Sequence, residues 1–307
     1  MLKQLPHLDA NETIFFVREL EAVKSKSYDV VYAELKARKL FPVSGEAGPA
    51  AETIRYEQYD TVGLAKVIAN YADDLPRADV KGKEFVSIVK SLGSSYGYNL
   101  QEVRAAKATG KPLEQRRANA AKRAIEEKIN SIAFNGDSAS NIPGFLSNSN
   151  VGSYTIPAGV STTTPWSTKT ADEILADMHG VANQIVDTTK GVEAPDTLLI
   201  PIAQYNLIAT KRIGVDSNMT VLRYFMETSP YIKNVEWVNE LDGAGTAGKD
   251  VIVAYKRDPD KLTLEIPQEF EQLEVQPKGL EYVVPCHARI GGVLIYYPLS
   301  ICKGEGI

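Results

Sequence analysis

Hydrophobic positions along this chain recur at two spacings, and Gly- and Pro-rich breaks separate the segments that carry them. The helical spacing is clearest after Pro112, where Leu113, Ala121, Ala124, Ile125, Ile129, Ile132 and Ala133 fall on one stripe. Arg116, Lys122, Arg123, Glu126 and Glu127 occupy the opposite face. Pro112 suits a first helical position and Gly136 a C-cap, so a helix over 112–135 is predicted, about 36 Å long at ~1.5 Å per residue. Thr170 and Glu173 form a capping box ahead of a second amphipathic helix bearing Ile174, Leu175, Met178, Val181, Ile185 and Val186. Asn99 and Glu102 open a shorter one that runs through Ala108.

The strand spacing appears first at 52–63, where Ile54, Tyr56 and Tyr59 sit among polar residues, and again at 83–92 with Phe85, Val86 and Ile88. These read as a long hairpin. Its connection, 64–82, exceeds the ~12–15 residues usual for a loop in a compact domain, so it is read as a projection. Residues 1–48 read as an arm with a helical pattern near 12–23 and a linker, PVSGEAGPA, at its end. A Ser-, Thr-, Asn- and Gly-rich loop fills 137–168. Then follow a strand at DTLLIP, helices at PIAQYNLIATKR and NMTVLRYFMET, and strands at NVEWVNEL and DVIVAY joined by DGAGTAGK: a compact α+β unit. From Lys261 onward, strand follows strand with almost no reactive side chain between them.

Composition changes this picture little. The chain has 307 residues, 44% hydrophobic and 24% charged, enough for a sizeable core. With 34 Lys plus Arg against 39 Asp plus Glu it lacks the basic excess of a dedicated nucleic-acid binder. MLKQLPHLDANETIFF does not read as a signal peptide, and the longest apolar runs, such as Val293 to Tyr297, fall far short of the ~18 residues of a membrane span. Cys286 and Cys302 suit free thiols in a reducing compartment. Three scattered histidines and two cysteines match no zinc spacing, and acidic pairs such as Asp73 with Asp74 read as solvated surface. No catalytic, cofactor or metal site is therefore assigned.

Two motifs suggest chemistry. Gly243, Gly245 and Gly248 satisfy GxGxxG, and Lys249 nearly completes a phosphate loop. Such loops work at the N-terminus of a helix, whereas a strand follows here and Asp250 stands at the Ser/Thr position, so a flexible hairpin loop is read instead. Gly93-Ser94-Ser95-Tyr96-Gly97 matches the GxSxG nucleophile elbow, with His179 and His287 downstream. The helix starts only at Asn99, and both histidines read as hydrogen-bonded structural residues. A serine hydrolase centred on Ser95 stands as a third reading.

The order of elements resembles the major capsid protein of tailed bacteriophages, in the Hong Kong 97-type α+β fold. The residues that carry the resemblance are GFLSNSNV after the long helix, the capped helix, LLIPIAQYNLIATKR, VIVAYKRDPDKLTLEIPQEFEQLEVQPKGLEYVVP and HARIGGVLIYYPLSICKGEGI. The resemblance implies an N-terminal arm at 1–48 and an extended loop at 49–98. It implies a peripheral domain at 99–189 and 259–307 with the spine helix 112–135, and an axial domain at 190–258. It further implies pentamers and hexamers in an icosahedral virion shell made in the host cytoplasm. Portal protein, scaffold or decoration proteins and non-specifically held double-stranded DNA would be the partners. No coiled scaffolding segment is legible before the arm, which leaves a separate scaffold open. Ile54, Tyr56, Tyr59, Phe85, Val86, Ile88 and the three loop glycines are the expected assembly residues, because a projecting hairpin cannot bury its own apolar side chains. An encapsulin-type compartment shell is the alternative reading.

Overall fold

The computed structural model describes residues 32–62, 79–109, 114–214 and 218–307. The helical pattern at 12–23, most of the hairpin connection, and Pro112 and Leu113 lie outside the described residues. The chain divides into Met1–Glu34 and a compact unit, Leu35–Ile307, to which everything below refers.

A short helix α1 (Ala37–Leu40) leads to β1 (Val43–Ser44). The hairpin is β2 (Thr53–Val62) with β3 (Asp79–Ile88), antiparallel over ten residue pairs. The polypeptide breaks at Val89 and continues as β4 (Lys90–Asn99). Helices α2 (Leu100–Thr109) and α3 (Glu114–Asn135) follow. The expected cap of α2 is present in both directions: the Asn99 N–H donates to Glu102, and the Glu102 N–H donates to Asn99 Oδ1 at 2.8 Å. Gly136, with φ 73°, ends α3 by donating to the Ile132 carbonyl.

Along α3 the buried stripe is Ala121, Ile125, Ile129, Ile132 and Ala133. Ala124 is exposed, contrary to expectation, because one residue turns the helix by ~100° and carries it off the stripe. The stripe lies on a sheet in which β12 (Glu281–Ile290) pairs with β4 along its whole length. On its other edge β12 pairs with β10 (Gln268–Gln272) and β11 (Gln276–Lys278). Period-two alternation turns Val284, Cys286, Ala288 and Ile290 inward beneath the helix. β9 (Leu262–Glu265) joins β1 and β13 (Gly292–Ile295) in a small sheet beside it.

The remaining strands form one five-stranded sheet, ordered β5 (Gly152–Thr155), β14 (Ile301–Glu305), β8 (Val251–Tyr255), β6 (Thr197–Ile200), β7 (Asn234–Trp237). Helices α4 (Ala171–Thr188), α5 (Ile202–Thr210) and α6 (Val221–Thr228) accompany it. The expected capping box of α4 is complete. β8 is buried at all five residues, and its side chains go alternately to two cores. Val251, Val253 and Tyr255 join α1, α3 and the β12 sheet; Ile252 and Ala254 join α4, α5 and α6. The VIVAY run has no polar face because the strand has no solvent face.

Four expectations change here. Residues 35–48 pack on the folded unit: Phe41 is fully buried, and β1, inside the expected linker, pairs with β9. The segment 90–98 is not part of the projection but a sheet strand, β4. The loop region 137–168 contributes β5 and the buried Trp166. The boundaries at 189/190 and 258/259 do not coincide with the cores either. α4 packs in the same core as α5 and α6, and β14 hydrogen-bonds to β8, because the sheet between the two cores needs strands from both sides of those boundaries.

Within the α4 core, Lys169 and Asp177 form an ion pair at 2.5 Å with each side chain 1% exposed. Trp166 Nε1 also donates to Asp177 Oδ2, and Lys169 Nζ donates to the Pro157 carbonyl. Burial pushes the Asp177 carboxyl above its usual range despite these donors. The pair ties the 157–169 loop to the helix.

Candidate assembly surface

The hairpin has two unlike faces, set by the alternation of its pairs. Ile54, Tyr56, Phe85 and Ser87 lie on one, Thr53, Arg55, Tyr59, Val80, Val86 and Ile88 on the other. The first face rests on its own subunit. Tyr56 stacks on Phe85 at 5.1 Å and meets Tyr296 edge-on at 4.9 Å, and Ser87 donates to the Gly291 carbonyl. Ile54, Tyr56 and Phe85 are consequently half-buried within one chain, and Ile88 on the other face is half-buried as well, so these four do not lack cover as expected. Among the described residues of the hairpin, the apolar groups left open are Tyr59 at 65%, Val80 at 59% and Val86 at 55% exposed. An Arg55–Glu84 ion pair at 2.6 Å crosses that face.

A second apolar rim escaped the sequence reading. Leu273, Val275 and Leu280 are exposed on the segment that turns from β10 through β11 into β12. Its signal was the alternation of Leu273 and Val275 with Glu274 and Gln276 just before Pro277 and Gly279.

The glycine loop lies elsewhere, between β7 and β8. It is not a hairpin, since both of those strands pair with β6 instead of with each other. Carboxylates occupy its backbone donors: the Gly243 N–H donates to Asp250 Oδ1 at 3.0 Å and the Thr246 N–H to Glu305 Oε2 at 3.1 Å. Gly245 donates to the Lys249 carbonyl, and Gly248 to that of Gly245. The Thr246 N–H, followed by the Thr246 side chain and Lys303, holds the Glu305 carboxyl below its usual range. A phosphate would meet two negative charges where a phosphate loop offers free N–H groups.

Ser95 stands in the middle of β4, opposite Pro285, with His287 opposite Gly93. A residue inside a ten-residue ladder cannot occupy the sharp strand-to-helix turn of a nucleophile elbow. The hydrogen bonds expected of the histidines are also not made. His179 packs on Phe225 at 4.7 Å, and among the described residues neither imidazole forms a side-chain hydrogen bond. Cys286 and Cys302 are free and lie in different cores. Burial pushes the Cys302 thiol up to about 12.

Two cores sharing one sheet, a long helix laid on a second sheet and a two-stranded projection are the Hong Kong 97-type capsid architecture. The capsid of Myoviridae phage XM1 superposes with a TM-score of 0.84 at 18% identity, covering 96% of this chain and 100% of that one. The capsid of a native GTA particle gives 0.64 at 11% identity over 93% and 94% of the two chains. A virus-like particle from Pyrococcus furiosus gives 0.58 at 15% over 87% and 91%. No curated protein matches the chain. The major capsid protein family matches residues 63–307, and the chain belongs to that family, whose members are structural shell subunits rather than enzymes.

Proposed function

We propose that this chain assembles with copies of itself into pentamers and hexamers of an icosahedral phage head enclosing double-stranded DNA. The observation that carries the reading is the agreement with the XM1 capsid over 96% of the chain at TM-score 0.84. The projecting hairpin, with Tyr59, Val80 and Val86 open to solvent, gives assembly a physical reason, since a neighbouring copy would cover them. In this reading the unit on 190–258, together with α4, β5 and β14 that share its sheet or core, is axial, with the 242–249 loop toward the symmetry axis. The α3 sheet is peripheral. Several modest contacts per subunit add up to a stable shell. DNA is held without sequence readout, as the acidic balance of the chain suits weak contact with phosphate. Portal, scaffold and decoration proteins complete the particle, which forms in the host cytoplasm.

Negative-stain microscopy of the full chain, alone and co-expressed with its neighbouring structural genes, tests this. Closed shells are expected; monomers and small closed oligomers under every condition would overturn it. An encapsulin-type compartment is the second reading, and a co-purifying enzyme inside the shells in place of DNA would select it.

A further inference from the structure

A hollow of about 370 Å3 lies between β2 and the turn that follows β13. Tyr56, Tyr59, Tyr296 and Tyr297 wall it, and its carboxylates are Glu57 and Asp260. It adjoins a groove of about 810 Å3 that shares Asp260, Tyr296 and Tyr297 with it and adds a third carboxylate, Glu46. Among the described residues none of the three carboxylates is in an ion pair. The one ammonium on these walls, Lys261, is held by Glu193.

The chain already makes once the contact that a ligand would make here. Lys261 Nζ lies 4.2 Å over the Tyr297 ring while it donates to Glu193, so an ammonium is shared between an aromatic face and a carboxylate. The other rings are anchored by their own neighbours. Tyr296 shares a hydrogen bond with Thr263 Oγ1 at 2.7 Å and meets Tyr56 edge-on at 4.9 Å, and the Tyr59 hydroxyl donates to Glu57. The carboxylates, by contrast, come from three separate segments, and among the described residues they are not gathered closely enough to hold one metal ion. Mg2+ and Ca2+ need oxygen ligands on all sides. Negative charges spread along an aromatic-walled depression suit instead a cation whose own charges are spaced by methylene groups, with the methylenes lying on the rings.

We infer that hollow and groove together bind a linear aliphatic polyamine, its ammonium groups against Glu57, Asp260 and Glu46 and its methylene chain on Tyr59, Tyr296 and Tyr297. Asp260 is the central contact because it belongs to both parts of the depression. Three carboxylates favour a triamine over a cation with a single charge. The site is complete within one chain, so it does not rest on the reading that copies of the chain build a shell.

Equilibrium dialysis of radiolabelled spermidine against the full chain, freed of nucleic acid by nuclease and in whatever assembly state it adopts, tests this. Saturable binding of about one equivalent per chain is expected, about tenfold or more tighter than that of n-butylammonium and little displaced by an equal concentration of Mg2+. Asp260→Asn should weaken it about tenfold. Tyr59→Leu should weaken it about threefold, whereas Tyr59→Phe, which keeps the ring, should bind as the unsubstituted chain does. Asp260 and Tyr59 are both exposed, so these variants should fold, and an unchanged circular dichroism melt checks that they do. Spermidine held no better than n-butylammonium, displacement by Mg2+ at equal concentration, or binding that ignores Asp260→Asn and Tyr59→Leu would leave only a diffuse counterion surface and overturn the inference. Shell formation is not part of the readout, so either result leaves the shell reading where it was.

Discussion

Replacing Phe41 by Ala tests whether residues 35–48 belong to the folded unit. The ring is fully buried, 4.8 Å from Phe145, 5.3 Å from Phe134 and 6.2 Å from Tyr255. It thus joins the segment before the hairpin to the end of α3, the loop after it and the sheet between the two cores. Tyr255 Oη donates to the Leu40 carbonyl at 2.8 Å, so the backbone on the N-terminal side of the ring is pinned and the site cannot easily collapse. Truncating a buried Phe that leaves such a cavity costs about 3–5 kcal/mol, and loss of three aromatic neighbours places this one toward the upper end. Urea unfolding of the unassembled chain, followed by tryptophan fluorescence and far-ultraviolet circular dichroism, should show a lower midpoint at unchanged slope. Val43→Ala, two residues on but 44% exposed, should stay within about 0.5 kcal/mol. A loss below about 1 kcal/mol for Phe41→Ala would refute the placement and return 35–48 to a detachable arm.

Three further outcomes follow from particular contacts. Asp177→Ala should cost about 3–5 kcal/mol by stranding the buried Lys169 charge, while Lys169→Met with Asp177→Leu recovers most of it; equal losses in the two variants would refute this, and equilibrium unfolding reads both. Gly180→Ala should destabilise by about 1 kcal/mol, although Ala is the better helix former, because its Cβ would press on the Tyr154 hydroxyl and displace the ring; an unchanged or higher melting temperature would show that the ring yields without loss. Burial pushes both thiols up, Cys302 to about 12, so an aromatic disulfide reagent at pH 8 should find no rapidly reacting cysteine until denaturant is added; one or two fast equivalents would place a cysteine outside its core.

Local rules carried a large part of the fold. The caps at Asn99 and Thr170, the stripe on α3 and the stop at Gly136 are interactions within a few residues, so a linear pattern contains them. The β2–β3 pairing was legible as two strand patterns in succession, although the faces of that hairpin were not separable from its sequence. Ile54 and Tyr56 look as unprotected as Tyr59 until Gly291 and Tyr296, more than 200 residues away, are found beneath them.

By itself, then, the sequence determined the main helices, the hairpin and the resemblance to a capsid subunit, because each is written in neighbouring residues or in the order of segments. Tertiary structure alone decided where the cores lie. The five-stranded sheet draws β5, β14 and β8 from three distant stretches and buries both of its faces, so the boundary between the two halves is a shared wall rather than a point along the chain. No local pattern marks such a wall except the unbroken apolar runs of β6 and β8, which are equally what any fully buried strand would show.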